Sequence, residues 1–240
     1  MIVAAHQPHY MPWLGYLDKL AKADLFVVMD DLQFEAQNFQ NRQRVRLPSA
    51  ASWMTVPVEH GAQTDRILDK RIELSSNPRQ DWRYRHWTTL ETNYRRAAHW
   101  SRYADELRAT YEREWTSLVE LDLHMLELAR RWLDIRTPIV LASQLQLAGT
   151  KTDRLVDMCR RVGARCYLTG SGGSQSYLDV EKLGRAGIGV IWQAFEHPVY
   201  AQRYERGFDS HLGFVDLVLN HGLESRALLM PSSHPARLAA

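Results

Sequence analysis

Four side chains able to handle protons or grip a ligand stand in one short run near the start of the chain: His6, Gln7, His9 and Tyr10. An imidazole can act as general acid or base, or donate to a phosphate or a developing oxyanion, while Gln7 offers both a donor and an acceptor. The His-x-x-His spacing would also suit a metal, but such a site needs a third ligand. Asp30 or Asp31 could supply one only if the second strand lies beside the first. The run sits between the β-prone segment Ile2 to Ala5 and the amphipathic stretch Leu14 to Ala23, so its polar groups gather at the C-terminal end of a first strand. Ligands of open α/β sheets bind at that edge. Polar groups there need partners, which favours function for His6 and Gln7. Tyr10 and Trp13 are read as substrate contacts, against the plainer reading that they are core aromatics together with Tyr16.

Two further clusters follow strand-like segments. Asp30, Asp31 and Gln33 come just after the apolar run Leu25 to Met29, and Asn38, Asn41, Arg42, Arg44 and Arg46 continue as a polar, basic segment whose arginines suit a carboxylate or phosphate. Adjacent carboxylates on an extended segment point to opposite sides, so Asp30 and Asp31 are not an acid/base pair by themselves. Asp30 is the one expected to orient a histidine, and Gln33, Asn41 and Arg42 to contact substrate; a solvated loop is the bland alternative. In the segment 167–178 a strand runs into Thr169, Gly170, Ser171, Gly172, Gly173, Ser174, Gln175, Ser176 and Tyr177 before a helix. Free backbone amides and hydroxyls at a helix start make an anion site, although the segment is neither a P-loop nor a G-x-G-x-x-G turn. Thr169, Gly170, Ser171, Ser174 and Tyr177 are expected to bind substrate, and so are His197 and Tyr200, which follow another strand-like run.

These clusters need elements to hold them. The 240 residues, with 45% hydrophobic and 24% charged side chains, allow one large domain. A net charge of +2 makes the chain as a whole no polyanion binder. Ile2 to Ala5 and Leu25 to Met29 flank a helix and open a right-handed βαβ unit with parallel strands. Trp53 to Val58 reads as a strand, with Pro57 marking an edge or an end. Residues 76–135 read as two or three helices, an insertion that forms a subdomain or covers one sheet face. Arg83, Arg85, Arg95, Arg96 and Arg102 alternate with aromatics there, but Trp82, His86, Leu90 and Tyr94 recur at helical spacing, so a buried aromatic face with solvated arginines is preferred over a nucleic-acid surface. Strand and helix then alternate to about residue 220, which implies an α/β fold with a mostly parallel sheet and helices on both faces. Residues 1–230 are expected to form a single domain, and 231–240 a disordered tail. The two cysteines, Cys159 and Cys166, and the N-terminus without a leader pattern suggest a reduced, cytoplasmic protein. No run approaches the roughly 18 apolar residues of a membrane span, so no membrane insertion is expected.

The segments His6 to Tyr16, Asp30 to Phe34, Asn41-Arg42, Leu168 to Ser171, Gln193 to Tyr200 and Leu212 to Gly222 together resemble the WbqC-like proteins, over residues 2 to 225. That resemblance implies an association with O-antigen and other surface-polysaccharide genes, and a transferase that moves an acyl or aminoacyl group such as glycyl onto an amino sugar or similar amine. It implies His6 as the leading base, His9 second, and Asp30 orienting either one. Gln7 and the amides from Gly170 to Ser174 would hold an oxyanion or phosphate, with Arg42 on a donor or acceptor phosphate. The substrate would be a small-molecule amine or nucleotide-linked sugar, with aminoacyl-tRNA as an alternative donor. Gln175 or Ser176 stands where the family pattern leads one to expect a basic residue. The layout is also similar to nucleotidylyltransferase-type domains, which use H-x-G-H around ATP; here Tyr16 occupies the place of the second histidine and cannot become a cation. ATP-dependent activation, or non-catalytic binding of a sugar nucleotide or tRNA, are the competing readings. The sequence names no oligomeric state and no required cofactor.

Overall fold

Alternate side chains of the first strand, β1 (Ile2–His6), enter two different cores, Val3 and Ala5 one and Ala4 the other. A strand with both faces covered has to be apolar throughout, as Ile-Val-Ala-Ala is. The computed structural model describes residues 1–170, 172, 178–231 and 237–238. β1 leads through α1 (Leu14–Ala21) to β2 (Leu25–Val28), which pairs with it in parallel, as expected. After an excursion the chain returns as β5 (Ile139–Leu141) on the far side of β2, and then crosses to β6 (Cys166–Gly170) on the other side of β1. β7 (Gly189–Gln193) extends the sheet, and β8 (Arg237–Leu238) pairs antiparallel with it. The order is β5-β2-β1-β6-β7-β8. The winding direction therefore reverses between β1 and β6.

The excursion begins with an antiparallel ribbon, β3 (Arg42–Arg46) and β4 (Ala51–Thr55), separate from the main sheet. This revises two expectations. The basic segment 42–46 is a strand, and the strand expected at Trp53 to Val58 lies earlier and ends before Pro57. The helices α2 (Trp82–Tyr94), α3 (Trp100–Glu112) and α4 (Leu118–Trp132) follow. They share one core with Ala4, Phe26, Val28, Leu168 and Ile191 of the sheet, and so cover one sheet face. Asp81 caps α2 by accepting from the Arg83 amide, and Trp82, His86, Leu90 and Tyr94 form its buried side as their spacing predicts. The opposite face is covered by α5 (Ala142–Leu145), α6 (Lys151–Arg161) and α7 (Val180–Arg185). The glycines at 163 and 187 end the last two with positive φ. α8 (Phe214–His221) and α9 (Ser225–Leu229) close the fold beside α3 and α4.

The ribbon is fastened to the later loop by a fully buried arginine. Arg46 is 1% exposed and donates to Gln202 Oε1 (2.8 Å), Asp209 Oδ2 (2.9 Å) and the carbonyls of Arg203, Tyr204, Arg206 and Gly207. A buried guanidinium is tolerated only when its donors are met, and here one side chain satisfies a whole loop. Its backbone amide donates to Tyr94 Oη, which in turn donates to Asp216 on α8. Replacement of Arg46 by Met should cost about 3–5 kcal/mol, because Gln202, Asp209 and four carbonyls each lose a donor at once, although Arg206 still serves Asp209 and the Tyr204 carbonyl. Urea unfolding checks it; a loss below about 1 kcal/mol would show that other contacts hold the 202–210 loop.

Candidate functional site

The pairing of β1 with β6 stops at Ala4 and Leu168, whereas β1 continues against β2 to His6 and β6 against β7 to Gly170. Two strands that part before their other partners do leave a crevice at their carboxyl ends. This split coincides with the reversal of strand order, the position at which open α/β sheets take their ligands. One residue past the last β1–β6 pair, the carbonyl of Ala5 accepts a hydrogen bond from Lys19 Nζ at 3.2 Å. Lys19 lies on α1, which runs back from the strand end, and helical side chains lean toward their own N-terminus. Its amine is thereby carried to the root of the crevice.

Lys19 is 6% exposed and has no ion pair among the described residues. Burial lowers its amine to about 7. Its neighbour Asp18 is already taken by Lys22 (2.7 Å) and by Gln193 Nε2 (2.7 Å) from the end of β7. His6 and His9 complete a basic trio, with ring centroids 4.6 Å apart. Burial, then Lys19, then His9 push the half-buried His6 imidazole well below its ordinary value, and burial with Lys19 takes His9 down to about 3. Both rings are neutral near pH 7. The Gln7 carbonyl lies 3.2 Å from His6 Nδ1, which fixes the proton there and leaves Nε2 as the acceptor. His9 is 4% exposed and its Nδ1 has no partner.

Aromatic and cationic groups continue outward from these rings. Tyr16 packs on both histidines at 4.9 and 5.1 Å, and Phe39 stacks on His9 at 5.5 Å. Phe39 meets Trp53, which is 43% exposed and carries the Arg42 guanidinium 4.2 Å above its ring, with Arg44 at 5.9 Å. On the other side Trp13 stacks on His211 (4.9 Å) and meets Phe195 edge-on (5.6 Å). The turn between β1 and α1 is stitched in place: Tyr10 N donates to the Phe39 carbonyl, Gln43 Nε2 to the Met11 carbonyl and Phe214 N to the Pro12 carbonyl. Met11 and His211 hold positive φ of 45° and 59°, local strain that the surrounding packing must sustain. Trp13 folds over its own helix so closely that a Cβ on residue 15 would lie 2.2 Å from its ring, which accounts for Gly15.

Other expected residues lie elsewhere or are otherwise engaged. Asp30 is buried, but its oxygens accept from Ser143 N (3.0 Å) and Oγ (2.6 Å), so it caps α5 and is hydrogen-bonded to neither histidine. Asp31 pairs with Arg154 at 2.5 Å. Gln33 donates to the Gln63 carbonyl and Asn41 to the Val56 carbonyl, both as local ties. Arg42 donates to the Gln37 carbonyl. Tyr10 is fully buried and bonds His86 Nδ1 (2.9 Å) and Tyr111 Oη (2.8 Å). His197 uses both nitrogens, donating to the Pro198 carbonyl and accepting from His211 N, and reaches the site through His211 and Phe195, the two rings against Trp13. Tyr200 donates to Asp216. Thr169 is buried and Gly170 ends β6 beside Gln193, while Ser171, Ser174 and Tyr177 lie outside the described residues. No group of three His, Cys, Asp or Glu suited to a metal occurs among the described residues, even though β2 does lie beside β1. Lys19, Asp18, Gln193, Phe39 and Trp53 were not expected at the site.

A cavity of about 770 Å³ lies between β4 and α2, lined by Trp53, Trp82, Arg85 and His86 among others. Its histidine is bonded to Tyr10 and stays neutral, lowered by burial to about 3. The strand ends hold the unspent groups, and we assign the candidate site there.

The model of the WbqC-like protein family matches residues 7–228. The uncharacterized protein Rv1507c of Mycobacterium tuberculosis is 32% identical over 225 residues, 93% of this chain and 95% of that protein. No solved structure matches the chain. No helix among the described residues is long and apolar enough to cross a membrane.

His9 and His86 are each held neutral to about pH 3, whereas the unfolded chain takes up their protons near 6.5. Between those values the unfolded state binds more protons, so stability falls as the pH drops. Each ring should account for a loss on the order of 4 kcal/mol across that window. Unfolding free energies from pH 7 to 3 test this, and His9→Gln should flatten the acid limb; an unchanged limb would mean that the His9 ring is solvated.

Proposed function

Because the chain belongs to the WbqC-like protein family and ends its central strand in a neutral imidazole, we propose that it is a cytoplasmic transferase. It moves an acyl or aminoacyl group, glycyl among them, from an activated donor to the amine of an amino sugar or similar acceptor, in surface-polysaccharide or specialised-metabolite biosynthesis. The observation that carries this reading is His6 Nε2, a free acceptor on a ring whose other nitrogen is tied to the Gln7 carbonyl, at the end of β1 where it parts from β6. As the acceptor nitrogen bonds to the acyl carbon, His6 takes the proton that nitrogen must lose. The tetrahedral oxyanion then collapses and expels the donor's leaving group, which takes the proton back. Gln7 and Gly170, at the ends of the two strands that part, are the groups for the oxyanion. Arg42 on Trp53 suits a phosphate of a nucleotide-linked sugar or the acceptor end of an aminoacyl-tRNA.

A second reading, ATP-dependent activation of an acid, draws support from the strand order, since doubly wound sheets with this reversal take nucleotides at it. Mass spectrometry of reactions with nucleotide-linked amino sugars and preactivated glycyl donors tests the first reading. Pyrophosphate release from ATP and candidate acids would replace it by the second. In the transfer assay, His6→Ala should lower turnover about 10²–10⁴-fold. Full turnover by that variant would remove His6 as the base.

A further inference from the structure

We propose that Lys19, His9 and His6 bind a doubly charged phosphoryl group, free or carried by a nucleotide, at the root of the β1–β6 crevice. The inference shares the location of the proposed site but not its acyl chemistry.

Two buried basic groups, Lys19 and His9, and the half-buried His6 stand together there, and Lys19 has no ion pair among the described residues. Lys19 spends one of its three donors on the Ala5 carbonyl. His9 Nδ1 is unpartnered on a side chain more than nine-tenths buried. A buried donor without a partner costs about 1–3 kcal/mol, so such an atom is retained where something else meets it. The titratable groups tied to the amine are His6 and His9 from the strand-end turn, Tyr16 packed on both rings, the Asp18–Lys22 pair on α1, and the Asp122 carboxyl on α4, which acts on Tyr16 and is pushed toward its neutral form by burial. Asp18 is neutralised by Lys22 and bonded by Gln193, so none of these supplies the missing negative charge. All three bases are held below their ordinary values, and Lys19 lowers both histidines. A dianion would reverse the sign of that field and bring protons back onto the site.

Titration calorimetry at about pH 8, where an amine near 7 is mostly uncharged, should show that inorganic pyrophosphate binds with uptake of about one proton, read from two buffers of different ionisation enthalpy. Lys19→Met should weaken binding at least about tenfold and abolish the uptake. Because the change removes a desolvated amine but leaves the Ala5 carbonyl without its donor, the two effects oppose each other and the variant should still fold, melting close to wild type. If it does not fold, His9→Asn serves instead: it keeps the amine, and should weaken binding while uptake persists. Uridine diphosphate as a second probe separates the sources, since tighter binding than pyrophosphate marks a nucleotide and equal binding a free phosphoryl group. Absence of pyrophosphate binding to wild type, or binding by Lys19→Met with unchanged affinity and uptake, overturns the inference even if transfer to an amine is demonstrated. Loss of binding in the variant supports it whether or not the transfer assay succeeds.

Discussion

The parting of β1 from β6 is the constraint on which the rest of the molecule depends. Had the two strands remained paired to their ends, the Ala5 carbonyl would face a neighbouring strand and Lys19 would have no place at the sheet. Because they separate after Ala4 and Leu168, a carbonyl near the centre of a parallel sheet is left to a side chain. The amine that meets it cannot be hydrated there, and its charge adds to the burial that already depresses the two imidazoles beside it. One feature of backbone topology thus joins burial in shifting the protonation of three side chains. Geometry and electrostatics have the same origin here.

Holding an uncompensated basic trio in a protein interior is unfavourable, and the surroundings have to offset it. The two apolar cores on either side of β1 supply most of the stabilisation. Between them and the solvent, polar ties position the pieces. Arg46 organises the loop 202–210 and, through Tyr94 and Asp216, joins the ribbon to α8. The start of α8 in turn bridges to Trp13 through Gly213, and the Gly213 amide donates to the Arg44 carbonyl. The β1–α1 turn is therefore clamped by elements distant in sequence, which is how a strained residue such as Met11 persists in it.

Much of this was legible in the sequence, because period and burial agree. The apolar strands, the Trp82-His86-Leu90-Tyr94 stripe of α2 and the glycine stops of α6 and α7 follow from local rules. The ribbon was obscured: Arg42, Arg44 and Arg46 read as a basic segment suited to an anionic ligand or to solvent, because the groups that satisfy Arg46 lie more than 150 positions later. Asp30 was placed correctly at a strand end, yet the partner that occupies it, Ser143, depends on β5 lying beside β2. Lys19 did leave a signal. Tyr16, Lys19 and Leu20 share one stripe of the amphipathic α1, and a lysine within such a stripe is a buried amine in need of a reason.

That stripe also changes the comparison with nucleotidylyltransferase-type sheets. A phenol at residue 16 cannot supply the cation that a second histidine of an H-x-G-H motif would. Tyr16 packs against both histidines instead, its hydroxyl has no partner, and burial with the Asp122 carboxyl on α4 raises it further from ionisation. Residues three apart on a helix lie one above the other. Lys19 is therefore the next group on the same face, and its longer side chain returns a nitrogen to the level of the strand ends. The aromatic ring packs on the two histidines, and the amine is the group on this face that can carry a positive charge. Two residues of one helical face thus divide what a single imidazole would combine, and the division accounts for a buried lysine and a silent tyrosine by one arrangement.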